Sequence, residues 1–212
     1  RVVHGGVWTF ALRIVNRGFR LIRTIVLARL LAPNDFGLFG IAMLALSSLE
    51  SFSKTGFDQA LIQRKEETES YLDTAWTVQV IRGAVLGGIL IAGAPLVGMF
   101  FGEPRAVPLV RVLGLAEILK SLRNIGIDYF RKELEFHKQF VYRFSGTFAD
   151  LAVALPAAFM LRSVWVLVFG LIARNLIQVI LSYKVHKFRP SFSFDKQKAM
   201  ELIDFGRWIL AS

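Results

Sequence analysis

Six long apolar runs, separated by short polar or charged links, make up most of this 212-residue chain. An α-helix rises about 1.5 Å per residue, so about 20 residues are enough to cross the hydrocarbon layer of a bilayer. The pattern therefore predicts an all-α fold, a polytopic transmembrane helix bundle. The predicted helices cover residues of about 6–31, 36–62, 71–101, 107–130, 140–161 and 164–183.

These six helices are predicted to form one N-terminal transmembrane lobe over residues 1–190. Residues 191–212 contain the start of a seventh apolar run, which is predicted to be the beginning of helix seven. We expect the chain to be the N-terminal portion of a longer protein.

The first apolar run carries a row of arginine residues on one helical face. At about 100° per residue, Arg13, Arg17 and Arg20 fall within roughly 60°, and Asn16 and Arg23 extend the face to roughly 120°. Arginine at membrane depth is costly and is found where it faces a bundle interior or a water-filled cavity. Guanidinium groups bind phosphate through paired hydrogen bonds. We therefore predict that this face lines a central cavity and binds an anionic ligand.

The second, fourth and fifth runs also have a polar face each. On the fourth run, Lys120 and Asn124 are predicted to contact the ligand together with the arginine row. Other charged residues on these faces have two interpretations: they pair with cations, or they bind a coupling H⁺ or Na⁺. We prefer pairing. The residues with these two interpretations are Glu50, Lys54, Asp58, Glu117 and Asp150. A static bundle, in which polar faces bond each other or reach the headgroups, is the alternative to a hydrated cavity.

The composition agrees with a membrane protein, since 54% of the residues are hydrophobic and the mean hydropathy is +0.50. The net charge is +10, but the basic residues are spread among the links, which disfavours a nucleic-acid partner. Lysine and arginine are abundant in the links after even-numbered runs and sparse in the others. By the positive-inside rule, the N-terminus and these basic links are predicted to be cytoplasmic.

Motifs for chemical catalysis are missing from the sequence. The chain has no cysteine and no glycine-rich phosphate loop, and its three histidines are isolated from one another. We therefore predict no catalytic residue, no metal site and no cofactor beyond a possible coupling ion.

Four segments, in this order, carry a resemblance to a known family. They are Leu27–Gly37, Gly56–Arg64, Arg131–Phe136 and Val164–Gly170. The chain resembles the bacterial flippases of polysaccharide repeat units, which are the O-antigen, capsule and exopolysaccharide transporters of the multidrug/oligosaccharidyl-lipid/polysaccharide exporter superfamily. One departure is Arg162-Ser163, where members usually have glycine before the Val-Trp pair.

The resemblance implies two six-helix lobes around a central cavity, of which this chain would be the first. It implies a multi-pass protein of the bacterial inner membrane that is not an enzyme. The implied substrate is an undecaprenyl-pyrophosphate-linked oligosaccharide, moved between leaflets by alternating access. Other polysaccharide-assembly proteins are possible partners beside the lipid bilayer.

Three other functions remain open at this point. A cation-coupled drug or small-molecule antiporter of the same superfamily is disfavoured because a cationic drug prefers a carboxylate-lined cavity, whereas the first helix is strongly cationic. A polytopic polysaccharide-assembly enzyme would normally need a large catalytic loop, and the links here are short. A purely structural membrane subunit is disfavoured as well, because such a subunit does not need a polar face on several of its helices.

Overall fold

The computed structural model describes residues 17–53, 69–128, 136–186 and 188–195. Within these ranges all regular structure is helical, which confirms the predicted all-α class. Residues 17–30 form helix α1, and a 3₁₀ turn at Ile125–Asp128 follows the fourth helix. The remaining helices are α2 (Pro33–Phe52), α3 (Glu69–Phe100), α4 (Ala106–Ser121), α5 (Phe136–Leu161) and α6 (Trp165–Val185).

Four of the described helices are long and apolar enough to cross a membrane. The spans are Pro33–Phe52, Leu72–Phe100, Lys138–Leu161 and Trp165–Val185. Helix α4 has 16 residues, so its length of about 24 Å falls short of the hydrocarbon layer of about 30 Å. Helix α1 is described only from residue 17 onward.

Helix α4 ends at Ser121, earlier than the expected end near residue 130, because Asn124 organises a turn. The Asn124 side chain is fully buried. Its Oδ1 accepts a hydrogen bond from the Gly126 N–H at 2.9 Å, and its Nδ2 donates to the Phe188 carbonyl at 2.7 Å. Lys120 therefore lies in the last turn of α4 rather than near the middle of a longer helix.

Helices α3 and α4 approach each other closely at glycine residues. A Cβ on Gly87 would lie 2.5 Å from the Gly114 carbonyl oxygen, and one on Gly83 would lie 2.1 Å from Ser121 Cβ. Gly83 and Gly87 are spaced as in the GxxxG pattern, in which small residues let two membrane helices pack backbone against backbone. This contact brings the polar ends of α3 and α4 together.

Two apolar clusters hold the helices in place. One joins α2, α3, α4 and α6 through residues such as Leu38, Leu90 and Leu109. The other joins α1 to α5 and α6 and includes Leu27 and Ala154. Large apolar side chains also remain exposed on α1, α3, α5 and α6, as expected for a bundle whose outer surface contacts lipid.

A polar contact links the two sharp turns of the bundle. The Asp35 carboxylate accepts a hydrogen bond from the Ala32 N–H at 3.1 Å, at the start of α2. Its other oxygen accepts one from the Val164 N–H at 3.2 Å, before α6. Asp35 thereby fixes the α1–α2 turn against the α5–α6 turn, which contains Arg162 at a positive φ of 42°.

Candidate functional site

A polar cavity lies between α2, α3 and α4. Its volume is about 340 Å³. The lining includes three basic side chains, two carboxylates and an amide, whereas the surrounding helices are strongly apolar. The lining residues are Glu50, Gln79, Arg82, Gly83, Leu86, Glu117, Lys120, Ser121 and Arg123.

An ion bridge crosses this cavity from α2 to α4. Lys120 Nζ donates to Glu50 Oε1 and lies 3.0 Å from Glu117 Oε2. The Glu117 side chain is 10% exposed, whereas the Glu50 side chain is 30% exposed, so the bridge runs from the packed core towards the open side. One ammonium group is thus shared by two carboxylates that the sequence places far apart, and Arg82 and Arg123 bring the lining to three basic against two acidic side chains.

Helix α3 supplies the polar groups on the other side of the cavity. Arg82 donates to Ser53 Oγ from Nε at 3.0 Å and from Nη2 at 2.9 Å. Gln79 Nε2 donates to the Ser121 carbonyl at 2.7 Å and to the Arg123 carbonyl at 3.1 Å. These bonds satisfy backbone carbonyls that the end of α4 leaves without helical partners. Side chains of α3 thus fasten the C-terminal ends of α2 and α4 around the cavity.

A second charged cluster lies between α1, α5 and α6. The Asp150 carboxylate is near the middle of α5 and only 2% exposed. Its Oδ2 accepts a hydrogen bond from Arg174 Nη2 at 2.7 Å, and its Oδ1 lies 3.2 Å from Arg23 Nη2. Two guanidinium groups share one carboxylate, so this cluster keeps one positive charge in excess. Such a charge at membrane depth attracts an anion.

The predicted ligand-binding residues of α1 occupy different surroundings. Arg17 and Arg20 are exposed, whereas Arg23 belongs to the Asp150 cluster. Arg13 and Asn16 lie outside the described residues, as do Lys54 and Asp58. Among the described residues, the lining of the cavity includes none of α1, so Arg17, Arg20 and Arg23 lie apart from the polar cavity.

The two predicted ligand contacts of the fourth run are also separated. Lys120 lines the cavity, but Asn124 is outside its lining and is engaged in the turn after α4. Glu50, Glu117 and Asp150 each form an ion pair with a basic side chain, the arrangement that the pairing interpretation expects. Ligand contact by these residues stays a prediction.

Sequence reasoning did not select Gln79, Arg82, Arg123 or Arg174 as site residues. A signal for Arg82 and Arg174 was present, since both interrupt apolar runs of membrane-spanning length. Gln79 and Arg123 had no such signal, because their position depends on the close approach of α3 to the end of α4.

The arrangement is suited to binding a polar or anionic ligand. Carboxylates, an amide and basic side chains offer hydrogen bonds to hydroxyl and phosphate groups. Within the part of the chain that the structure describes, no three His, Cys, Asp or Glu side chains gather as metal ligands would.

Comparison with known proteins places this bundle among proteins of polysaccharide biosynthesis. Residues 26–212 match the family model described as polysaccharide biosynthesis protein. The chain is 24% identical over its whole length to the lipopolysaccharide biosynthesis protein WzxC of Escherichia coli (strain K12), covering 43% of that protein.

Two further relatives agree with this match. The chain is 24% identical to the succinoglycan biosynthesis transport protein ExoT of Rhizobium meliloti (strain 1021), over 97% of the chain and 42% of that protein. It is 27% identical to the teichuronic acid biosynthesis protein TuaB of Bacillus subtilis (strain 168), over 74% of the chain and 33% of that protein. The chain thus spans less than half the length of these relatives. No solved structure matches it significantly.

Proposed function

Because this chain belongs to the polysaccharide biosynthesis protein family, we propose that it translocates undecaprenyl-pyrophosphate-linked oligosaccharide repeat units across the inner membrane. Transport proceeds by alternating access of a central binding site and involves no covalent change of the substrate. The N-terminus and the links after even-numbered helices face the cytoplasm. The multi-pass helical bundle, together with a relative named as a transport protein, supports this proposal.

The observation that carries the proposal is the cationic row on α1. Arg17 and Arg20 are exposed on a helix that packs against membrane-spanning neighbours, and Arg23 lies at a cluster with excess positive charge. Guanidinium groups at membrane depth require water, protein or an anionic ligand around them. The pyrophosphate group of the proposed substrate meets this requirement, while its polyprenyl chain stays in the bilayer.

The polar cavity suits the glycan part of such a substrate. Sugar hydroxyl groups donate to carboxylates and accept from amide and basic groups, all of which line the cavity. The cavity lies at the ends of α2 and α4 that are proposed to be cytoplasmic, where the repeat unit would enter. A purely cationic drug is less well suited, because the lining carries three basic side chains against two carboxylates and Lys120 is paired with both carboxylates.

Energy for transport is proposed to come from a gradient of H⁺ or Na⁺. Among the described residues, Glu50, Glu117 and Asp150 are the carboxylates located inside the bundle that this coupling would use. A measurement of glycan-lipid uptake into vesicles with either gradient imposed separates the two ions.

Single replacement of Arg17 or Arg20 by alanine tests the proposed function. We expect each variant to lose surface polysaccharide while the protein remains in the membrane at the normal level. Arg105→Ala is the control, because it removes an exposed arginine from the link between α3 and α4. Normal export by both α1 variants, at equal protein levels, would contradict the proposal. Binding of a cationic dye but not of a lipid pyrophosphate would favour a drug antiporter.

A further inference from the structure

Asp150 connects three helices through one buried carboxylate. It is on α5, and its two oxygens contact Arg23 of α1 and Arg174 of α6. Replacement of a shared carboxylate changes both contacts at once. If one of the two arginines is held less firmly by Asp150, that arginine is the one that an incoming anion can draw away.

The two contacts are not equivalent. Arg174 Nη2 donates a hydrogen bond of 2.7 Å to Asp150 Oδ2. Asp150 Oδ1 is buried and accepts no hydrogen bond from the described residues, although Arg23 Nη2 lies 3.2 Å away. The Nε atoms of Arg23 and Arg174 are both buried without a hydrogen-bond acceptor among the described residues, so the difference between the two contacts lies at the carboxylate oxygens. Arg23 is therefore held by charge attraction without a directed bond, whereas Arg174 is held by both.

Gly170 of α6 makes room for the weakly held side of the carboxylate. A Cβ at position 170 would lie 2.2 Å from Asp150 Oδ1, well inside van der Waals contact. The Arg23 side chain is 23% exposed and the Arg174 side chain is 33% exposed, so an anion can reach either guanidinium group from outside the cluster. Arg23 is the one without a directed bond to Asp150. A pyrophosphate group carries more negative charge and more acceptor oxygens than one carboxylate. A pyrophosphate group can thus compete with Asp150 for the Arg23 guanidinium group.

We propose that Asp150 is a positioning residue that holds Arg23 in the ligand-free transporter and yields it to the pyrophosphate group of the substrate. The exchange removes the ionic contact between α1 and α5, so that α1 can shift along its apolar contacts with α5, while Arg174 keeps its ion pair from α6 to α5. Arrival of the anionic group is thereby coupled to movement of α1. This inference rests on the proposed function, and it adds that Asp150 controls when Arg23 is available to the substrate.

Distances between spin labels in the full-length protein test the movement without changing the cluster. This chain has no cysteine, so once any cysteine elsewhere in the full-length protein is replaced, label cysteines can be introduced in pairs on exposed positions of this chain. Ile22→Cys with Val141→Cys reports on α1 and α5, and Val141→Cys with Ile180→Cys reports on α5 and α6. In lipid nanodiscs, undecaprenyl pyrophosphate should shift the first distance by about 2 Å or more. The second distance should stay unchanged.

Affinity for the same probe tests the competition. Asp150→Asn keeps the shape of the side chain but removes the charge that competes for Arg23. Coupling between two groups of a protein commonly changes the affinity for a ligand by about 5- to 150-fold. We therefore expect the Asp150→Asn variant to bind undecaprenyl pyrophosphate at least about fivefold more tightly and to transport its substrate more slowly. Glu103→Gln is the matched control, because Glu103 also pairs with an arginine, Arg105, but outside the cluster.

A second variant covers the case in which Asp150→Asn does not fold. Gly170→Ala keeps every charge and pushes Oδ1 away from its present place, so it should also tighten binding of the probe. Gly93→Ala is its control, since a Cβ there meets no atom within 4 Å.

The outcomes separate this inference from the function on which it rests. Failure of the unaltered protein to bind the lipid pyrophosphate would overturn both. If that protein binds the probe while the α1–α5 label distance stays constant, the inference alone is overturned. Equal or weaker binding of the probe by a folded Asp150→Asn or Gly170→Ala variant has the same consequence.

Discussion

Replacement of Gly87 by alanine should destabilise the bundle, although alanine is the better helix former. The new Cβ would lie 2.5 Å from the Gly114 carbonyl oxygen and 2.4 Å from Ile118 Cγ1. Ordinary van der Waals contact begins at 3.4 Å. Because the nearest backbone atom cannot rotate away, α3 and α4 must separate locally by about 0.9 Å, the difference between 3.4 and 2.5 Å.

The magnitude follows from two opposing effects. Alanine is favoured over glycine inside a helix by about 0.5–1 kcal/mol. Overpacking of a close contact costs about 1–3 kcal/mol. Since the clash involves backbone, we expect the upper part of that range, about 2–3 kcal/mol, which leaves a net destabilisation of about 1–2.5 kcal/mol.

The neighbouring residue Gly88 supplies the control, because a Cβ there meets nothing within 4 Å. Gly88→Ala should have no effect or stabilise the helix slightly. Both variants are purified in detergent, and their free energies of unfolding are compared by denaturant titration followed by circular dichroism. Equal stability of the two variants would show that the close approach of α3 and α4 is not a feature of the folded protein.

Two further predictions concern polar residues. Lys120→Met removes the ammonium group that Glu50 and Glu117 share, although two arginines remain in the cavity lining. We expect a loss of stability of about 1–3 kcal/mol, less than for a fully buried pair because the Lys120 side chain is half exposed. Thermal unfolding measures this loss, and failure of an added Glu117→Gln to restore stability would contradict charge repulsion as the cause. Asn124→Ala removes the hydrogen-bond partners of the Gly126 N–H and the Phe188 carbonyl. We therefore expect the free energy of unfolding to fall by about 2–3 kcal/mol and the segment after α6 to be cleaved faster by a protease. An unchanged cleavage rate would contradict this anchoring role of Asn124.

Hydropathy alone determined the class of this protein. A segment that spans a membrane must have all its backbone hydrogen bonds satisfied within the protein, which only helices and closed β-barrels achieve. Because this chain has long apolar runs and not the alternating pattern of barrel strands, its apolar runs form helices. The basic links predicted an orientation for the same kind of reason, because charge distribution along the chain is a local property. The predicted sites on α1 likewise follow from spacing along a single helix.

Contacts between helices depended on the tertiary structure. The end of α4 at Ser121 results from bonds between Asn124 and the segment after α6, which lies far away along the chain. The meeting of Asp150 with both Arg23 and Arg174 depends on how α1 packs against α5 and α6. Periodicity places a side chain on one face of its own helix, but it does not say which face of another helix lies opposite. That choice is made by packing, here by glycines that let backbones approach and by apolar clusters that set helix order.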